Sequence, residues 1–169
     1  MKRRIVVLAC SLLTVALIAA AVSSGSSDDR RVLEFEVMAP VSGPFTGATN
    51  AIRGVPGGGL PWEIDAAKGE LASDGRLEVE VDGLVLARRA PVPPALQGTN
   101  PIASFKAIVS CLTSESGAAA TVNVSTGLVP ATSSGDAKIE ASVELPSPCF
   151  APIVFVTSPG GAWFSVTGR

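Results

Sequence analysis

Residues 62–86 read WEIDAAKGELASDGRLEVEVDGLVL, and they decide the fold class. From residue 76 onward, Leu77, Val79 and Val81 alternate with Glu78, Glu80 and Asp82. Successive side chains of a strand point to opposite faces, so this period of two describes one aliphatic and one acidic face. Residues 62–71 read as a second strand. Between the two lies Ser73-Asp74-Gly75, a turn in which Asp can bond its own backbone and Gly accepts a positive φ. Two alternating runs around such a turn predict an antiparallel hairpin, with strands over 62–71 and 76–86.

The same signals recur outward in both directions. In residues 32–38, Val32, Leu33, Phe35, Val37 and Met38 interleave with Glu34 and Glu36. Residues 105–112 place Phe105, Ala107, Val109 and Cys111 on one face. Further strands are expected over 120–129, 138–145, 152–157 and 162–167. Ile153-Val154-Phe155-Val156 lacks alternation, which predicts a central strand covered on both faces. Residues 134–144 echo residues 73–81 in their Ser/Gly/Asp turn and following Glu alternation; one such pair is too short to establish a repeat. About eight short strands with turn signals between them, and no amphipathic helix after the leader, predict an all-β domain over 32–169. An antiparallel β-sandwich is expected, with a small β-barrel as the alternative. Two Gly/Pro-rich loops interrupt the strands, at 39–61 and 87–104. The first is long for a structureless connection and reads as a functional loop.

The chain opens with Lys2, Arg3 and Arg4, an apolar run over 5–22, and the small residues Ala19, Ala20, Ala21 and Ser23. Charged, apolar and small residues in that order are the plan of a secretory signal peptide, here residues 1–23, with a polar linker over 24–31. An uncleaved anchor is the alternative: the run sits at the lower limit for spanning a bilayer, and only then would a membrane be a partner. Val7-Leu8-Ala9-Cys10 has the look of a lipid-attachment box, but Cys10 lies inside the apolar run. The motif around Arg3-Arg4 is incomplete for a twin-arginine signal. The expected destination is outside the cell or the cell envelope. Cleavage after Ser23 leaves roughly 146 residues, and removing Lys2, Arg3 and Arg4 from the 13 basic residues leaves ten against 15 acidic ones, a net of −5.

Export also changes the reading of the cysteines. Cys10 leaves with the leader, and an even count in an oxidising compartment predicts a Cys111–Cys149 disulfide. Neither Cys-x-x-Cys spacing nor the donor set of a closed zinc site is present.

Chemistry is thinly provisioned. The chain has no His and no Tyr, which removes the commonest general base and the commonest metal ligand. Ser-x-x-Lys and Gly-x-Ser-x-Gly motifs are absent. Gly57-Gly58-Gly59 lacks the Gly-Lys-Ser/Thr ending and helix of a phosphate cradle. Glu78, Glu80 and Asp82, or Asp136, Glu140 and Glu144, supply oxygen ligands, but alternate strand residues lie about 7 Å apart, and no calcium-loop pattern accompanies them. The acidic balance argues against nucleic acid as a partner. Asn123-Val124-Ser125 matches a glycosylation sequon inside an expected strand.

What remains is recognition. Trp62 follows Gly57-Gly58-Gly59-Leu60-Pro61, and Trp163 follows Pro159-Gly160-Gly161-Ala162. If those loops share one end of a sandwich, the two indoles can form a ligand platform for a sugar or peptide; the competing expectation is that each caps the core. The sequence therefore predicts an exported, non-catalytic module binding an extracellular ligand or protein through residues 39–61, 87–104 and 157–162. No catalytic residue, metal site or cofactor is expected. Two alternatives stand beside it: a hydrolase using paired carboxylates, and an inhibitor presenting a rigid loop over residues 91–101.

Overall fold

The computed structural model describes residues 30–167. The expected leader with Cys10, and all but the last two residues of the expected linker, lie outside the described residues. Arg31 already belongs to a strand, paired with Ala72.

The described chain is almost entirely antiparallel β-structure. Its strands are β1 (Arg31–Phe35), β2 (Met38–Pro40), β3 (Trp62–Glu63), β4 (Ala66–Ala72), β5 (Arg76–Asp82) and β6 (Val85–Leu86), followed by β7 (Ser104–Glu115), β8 (Ala118–Ser125), β9 (Val129–Pro130), β10 (Ala137–Ser142), β11 (Phe150–Thr157) and β12 (Trp163–Thr167). One sheet has the order β1-β4-β5-β10; a second has β2-β12-β11-β7-β8, with β9 also on β7. The two pack face to face as a β-sandwich. Leu71, Leu77, Val79, Val81 and Ile139 come from the first sheet, Phe105, Val109, Val154 and Val156 from the second, and all belong to one buried core.

The opening hairpin is present, with Leu71 opposite Leu77 across the predicted turn. Its arms are shorter than the expected strands over 62–71 and 76–86. Pairing of β4 with β5 ends at Ala66 and Asp82; Trp62 and Glu63 then meet Leu86 and Val85 as the β3–β6 ribbon. The register is the same on both sides of the break. Gly83, with φ +66°, makes the kink, and a Cβ there would lie 2.3 Å from the Asp65 carboxylate. Only the hydrogen-bond ladder is interrupted, so the two expected strands become four.

The alternating stretch at 32–38 also divides. β1 pairs with β4 and β2 with β12, so the chain crosses between sheets at Glu36 and Val37, both exposed. Phe35 and Met38 enter the core on either side of that crossing. β11 sits between β12 and β7, and Val154, Phe155 and Val156 are fully buried, as their unbroken apolar run requires.

The echo between the two turns has a structural counterpart. β5 and β10 are neighbours, with Glu80 opposite Lys138 and Glu78 opposite Glu140. The Gly75 carbonyl accepts from the Val143 N–H at 3.0 Å, just beyond β10; the Gly135 carbonyl accepts from the Leu84 N–H at 3.1 Å, just beyond β5. Each turn thus seals the far end of the other's strand. Both glycines have φ +88°, and a Cβ would stand 1.9 Å from the Val143 oxygen at Gly75 and 2.2 Å from the Leu84 oxygen at Gly135. Gly75→Ala and Gly135→Ala are each expected to cost about 2–3 kcal/mol, read as similar falls in urea midpoint. Gly59→Ala, at an exposed glycine with open space around it, is the control and should stay within about 0.5 kcal/mol of the parent.

Candidate functional site

The structure places both tryptophans in the core, Trp62 at 3% exposure and Trp163 at 2%. Their aromatic partners differ. Trp62 stacks on Phe164 with ring centroids 3.9 Å apart and meets the edge of Phe105 at 6.4 Å, whereas Trp163 packs on Phe155 at 6.1 Å. The ligand platform expected of these two residues is therefore corrected, since stacking on a sugar or peptide needs an open ring face. The cause is the Gly-rich loop. Gly58 donates to the Trp163 carbonyl at 2.8 Å, and the Trp163 N–H donates to Pro56 at 2.9 Å.

That loop folds back across the side of the five-stranded path turned away from the other sheet. Arg53 Nη1 donates to the Ser110 carbonyl at 2.9 Å, and Asn123 Nδ2 donates to the Arg53 carbonyl at 2.9 Å. Burial lowers the Arg53 pKa from its ordinary value. Residues 43–58 are thus a strap, which explains why Ile108, Ser110 and Phe155 are buried although they alternate with the inward-facing residues of their strands.

Cys111 and Cys149 form the expected disulfide, with Cα atoms 5.0 Å apart. Cys111 is fully buried on β7, and Cys149 immediately precedes β11.

The outer face of the four-stranded sheet gathers the acids. Glu34 lies opposite Glu70, Glu70 opposite Glu78, and Glu78 opposite Glu140, a row of four glutamates across four strands. Like charges directly opposite destabilise a sheet, and two cations relieve them. Arg31 reaches Glu34 at 2.7 Å and Glu70 at 2.9 Å; Lys138 reaches Glu78 at 2.9 Å and Glu140 at 2.5 Å. The bond to Glu34 is the main cause of a raised Arg31 pKa, and the bonds to Glu140 and then Glu78 raise that of Lys138. Lys68 pairs with Glu80 at 3.0 Å. Glu70, Glu78 and Glu140 line an open hollow of about 520 Å³ with Arg31 and Arg76. Among the described residues, no three Asp, Glu, His or Cys side chains are grouped to hold a metal ion. Asp136 serves its turn instead. Its carboxylate accepts from the Ser134 hydroxyl at 2.7 Å, the Gly83 N–H at 3.0 Å and the Thr132 hydroxyl at 3.1 Å, and these bonds, Ser134 first, hold its pKa below the ordinary carboxylate value.

The loop after β6 is exposed yet internally bonded. Arg88, Arg89, Pro91, Pro93, Pro94 and Leu96 face solvent around a buried Val92. The base is tied by Ala87 N–H to Pro61 at 3.0 Å and Gly98 N–H to Leu86 at 2.8 Å. Inside the loop, Val92 N–H donates to Arg89 at 3.1 Å, Leu96 N–H to Pro93 at 2.9 Å, and Gln97 Nε2 to the Val92 carbonyl at 3.0 Å. Arg88 forms an ion pair with Glu63. Asn100, buried where the loop returns, donates to the carbonyls of Ile102 and Thr132, both at 2.8 Å. Every turn of the loop is thus fixed while its tip stays open. No family model, curated protein or solved structure matches this chain. The Pro-rich stretch was visible in the sequence, but the anchors at Val92, Gln97 and Glu63 carried no local signal that set them apart.

Proposed function

We propose that this chain is an exported, non-catalytic β-sandwich module that acts outside the cell or in its envelope by binding a partner through residues 88–98. The observation that carries this reading is the combination, in one loop, of an exposed tip and a backbone tied at its base and at its two inner turns. A loop already held in its binding conformation loses little entropy on association, so its contacts convert more fully into affinity. Arg89 offers a cation, and Pro91, Pro93 and Leu96 offer apolar area beside it. The matching partner surface carries an anionic group next to an apolar patch. The leader, the disulfide and the acidic balance support the extracellular setting.

The test is affinity capture from envelope and culture-medium fractions of the producing cell, comparing the parent with an Arg89→Glu, Leu96→Ser variant. The parent is expected to retain a specific partner, and the variant to lose at least about tenfold of that retention. Equal capture by both proteins, or by neither, overturns the reading. Intact-mass measurement of the exported protein is expected to place its N-terminus after Ala21 or Ser23.

The hollow lined by Glu70, Glu78 and Glu140 favours a second reading, carboxylate hydrolysis of a glycoside. Turnover of a polysaccharide panel that disappears in Glu78→Gln would favour it over recognition.

A further inference from the structure

Sheet edges invite pairing with other chains unless something blocks them, and the blocks are usually charge, proline, a bulge or shortness. β1 carries Arg31, Glu34 and a break in register. β10 carries Lys138 and Glu140. β2 is three residues long and ends in Pro40. β8 has none of these. It runs for eight residues, AAATVNVS, without charge or proline, and keeps an unbroken register with β7 from Ala118 to Ser125.

The ladder shows which of its groups are free. The Thr126 N–H donates to the Ala107 carbonyl at 3.0 Å, so that pair is a hydrogen-bonded one. Bonded pairs alternate along an antiparallel ladder. Ala118, Ala120, Val122 and Val124 therefore spend their backbone groups on β7, while Ala119, Thr121, Asn123 and Ser125 turn theirs away from it. All four of these residues are exposed, and β8 ends the order of its sheet among the described residues.

We propose that two copies of this chain join through β8, antiparallel, about a two-fold axis at Val122. In that register Thr121 lies opposite Asn123 of the other copy, and Ala119 opposite Ser125. These are the residues whose N–H and C=O groups point outward, so the ladder closes on itself. Val122 faces its own counterpart, and Ala120 faces Val124. No charged residue meets another anywhere along the strand. The acidic row belongs to the other sheet, which keeps those four glutamates out of the junction. A symmetric dimer requires a self-complementary patch, and β8 meets that condition where the other edges carry charge, irregular register or proline. The five-stranded path of each copy then continues into that of the next.

Sedimentation equilibrium of the mature protein tests this. The parent is expected to be a dimer that dissociates on dilution. Thr121→Pro removes an outward donor without touching the β7 ladder and, through two lost bonds per dimer, should raise the dissociation constant about tenfold or more. A second pair of proteins covers the case in which Thr121→Pro does not fold. Ala119→Lys with Ser125→Lys sets like charges opposite each other at both ends and should weaken self-association; mixing it with the Ala119→Asp, Ser125→Asp protein should restore pairing. A parent that stays monomeric at every concentration overturns the proposal. So does a folded Thr121→Pro or Lys variant that dimerises as the parent does.

Discussion

Replacing Cys111 and Cys149 together by alanine is expected to lower the stability of the folded chain by about 4 kcal/mol. The two cysteines are 38 positions apart, and the closed loop contains β8, β9 and β10. Opening it returns conformational freedom to the unfolded chain, which is where the chain-entropy model places most of a disulfide's effect. Against a total stability of about 5–15 kcal/mol for a typical domain, the loss is large. It should appear as a fall of roughly 10 °C in melting temperature and as a lower urea midpoint. Reduced parent protein should match the double variant. Single replacements should also match it, because either one opens the same loop. Equal stabilities for oxidised and reduced parent would contradict the expectation. The same experiment bears on compartment: a chain held in a reducing cytoplasm would forgo this stabilisation, whereas an exported one would have it.

The turn at 73–75 was legible because its chemistry is local. Asp74 accepts from the Arg76 N–H at 3.0 Å within the turn itself, and Gly75 supplies the positive φ that the reversal requires. The kink at Gly83 was not legible: strict alternation ends at Asp82, but the apolar run Leu84-Val85-Leu86 that follows also reads as strand. Leu84, Val85 and Leu86 are all buried, and residue type alone does not distinguish an extended central strand from a strand that bends into a second ribbon. The crossing at Glu36 and Val37 was hidden in the same way. Phe35 and Met38 both read as inward-facing, and nothing local states that they enter the core from different sheets. Local alternation reports which face a side chain takes; it does not report which strand lies next to it.

For the candidate site the boundary falls elsewhere. The disulfide was legible by counting, once Cys10 was assigned to the expected leader. The acidic face was legible as a face, but the alignment of Glu34, Glu70, Glu78 and Glu140 into one row depends on the registers of three separate strand pairs, which are tertiary facts. The packing of the strap was not legible. Gly and Pro at 39–61 signalled the absence of regular structure, yet the glycines let the backbone lie close against β12 and cover an apolar face. A loop of that composition can be open or closely packed, and only the surface beneath it decides which.

Trp62→Ala is expected to cost about 3–5 kcal/mol, the range for removing a large aromatic side chain from a packed core. Trp62, Phe105 and Phe164 form one aromatic group, with Phe105 and Phe164 centroids 5.7 Å apart at 65°. Gly58 closes it from above, where a built Cβ would lie 3.1 Å from the Phe164 ring and 3.3 Å from the Trp62 Nε1. The site therefore has little room to collapse, and the cavity left by alanine should persist. Trp62→Phe keeps a ring against Phe164 and should cost less than half as much. A surface tryptophan used for binding behaves oppositely: its alanine variant loses ligand while stability stays within about 0.5 kcal/mol of the parent. Urea unfolding of the three proteins separates the two cases, and iodide quenching adds a second readout, since indoles at 2–3% exposure should resist the quencher until the chain unfolds. Unchanged stability in Trp62→Ala together with ready quenching in the native parent would return Trp62 to the surface.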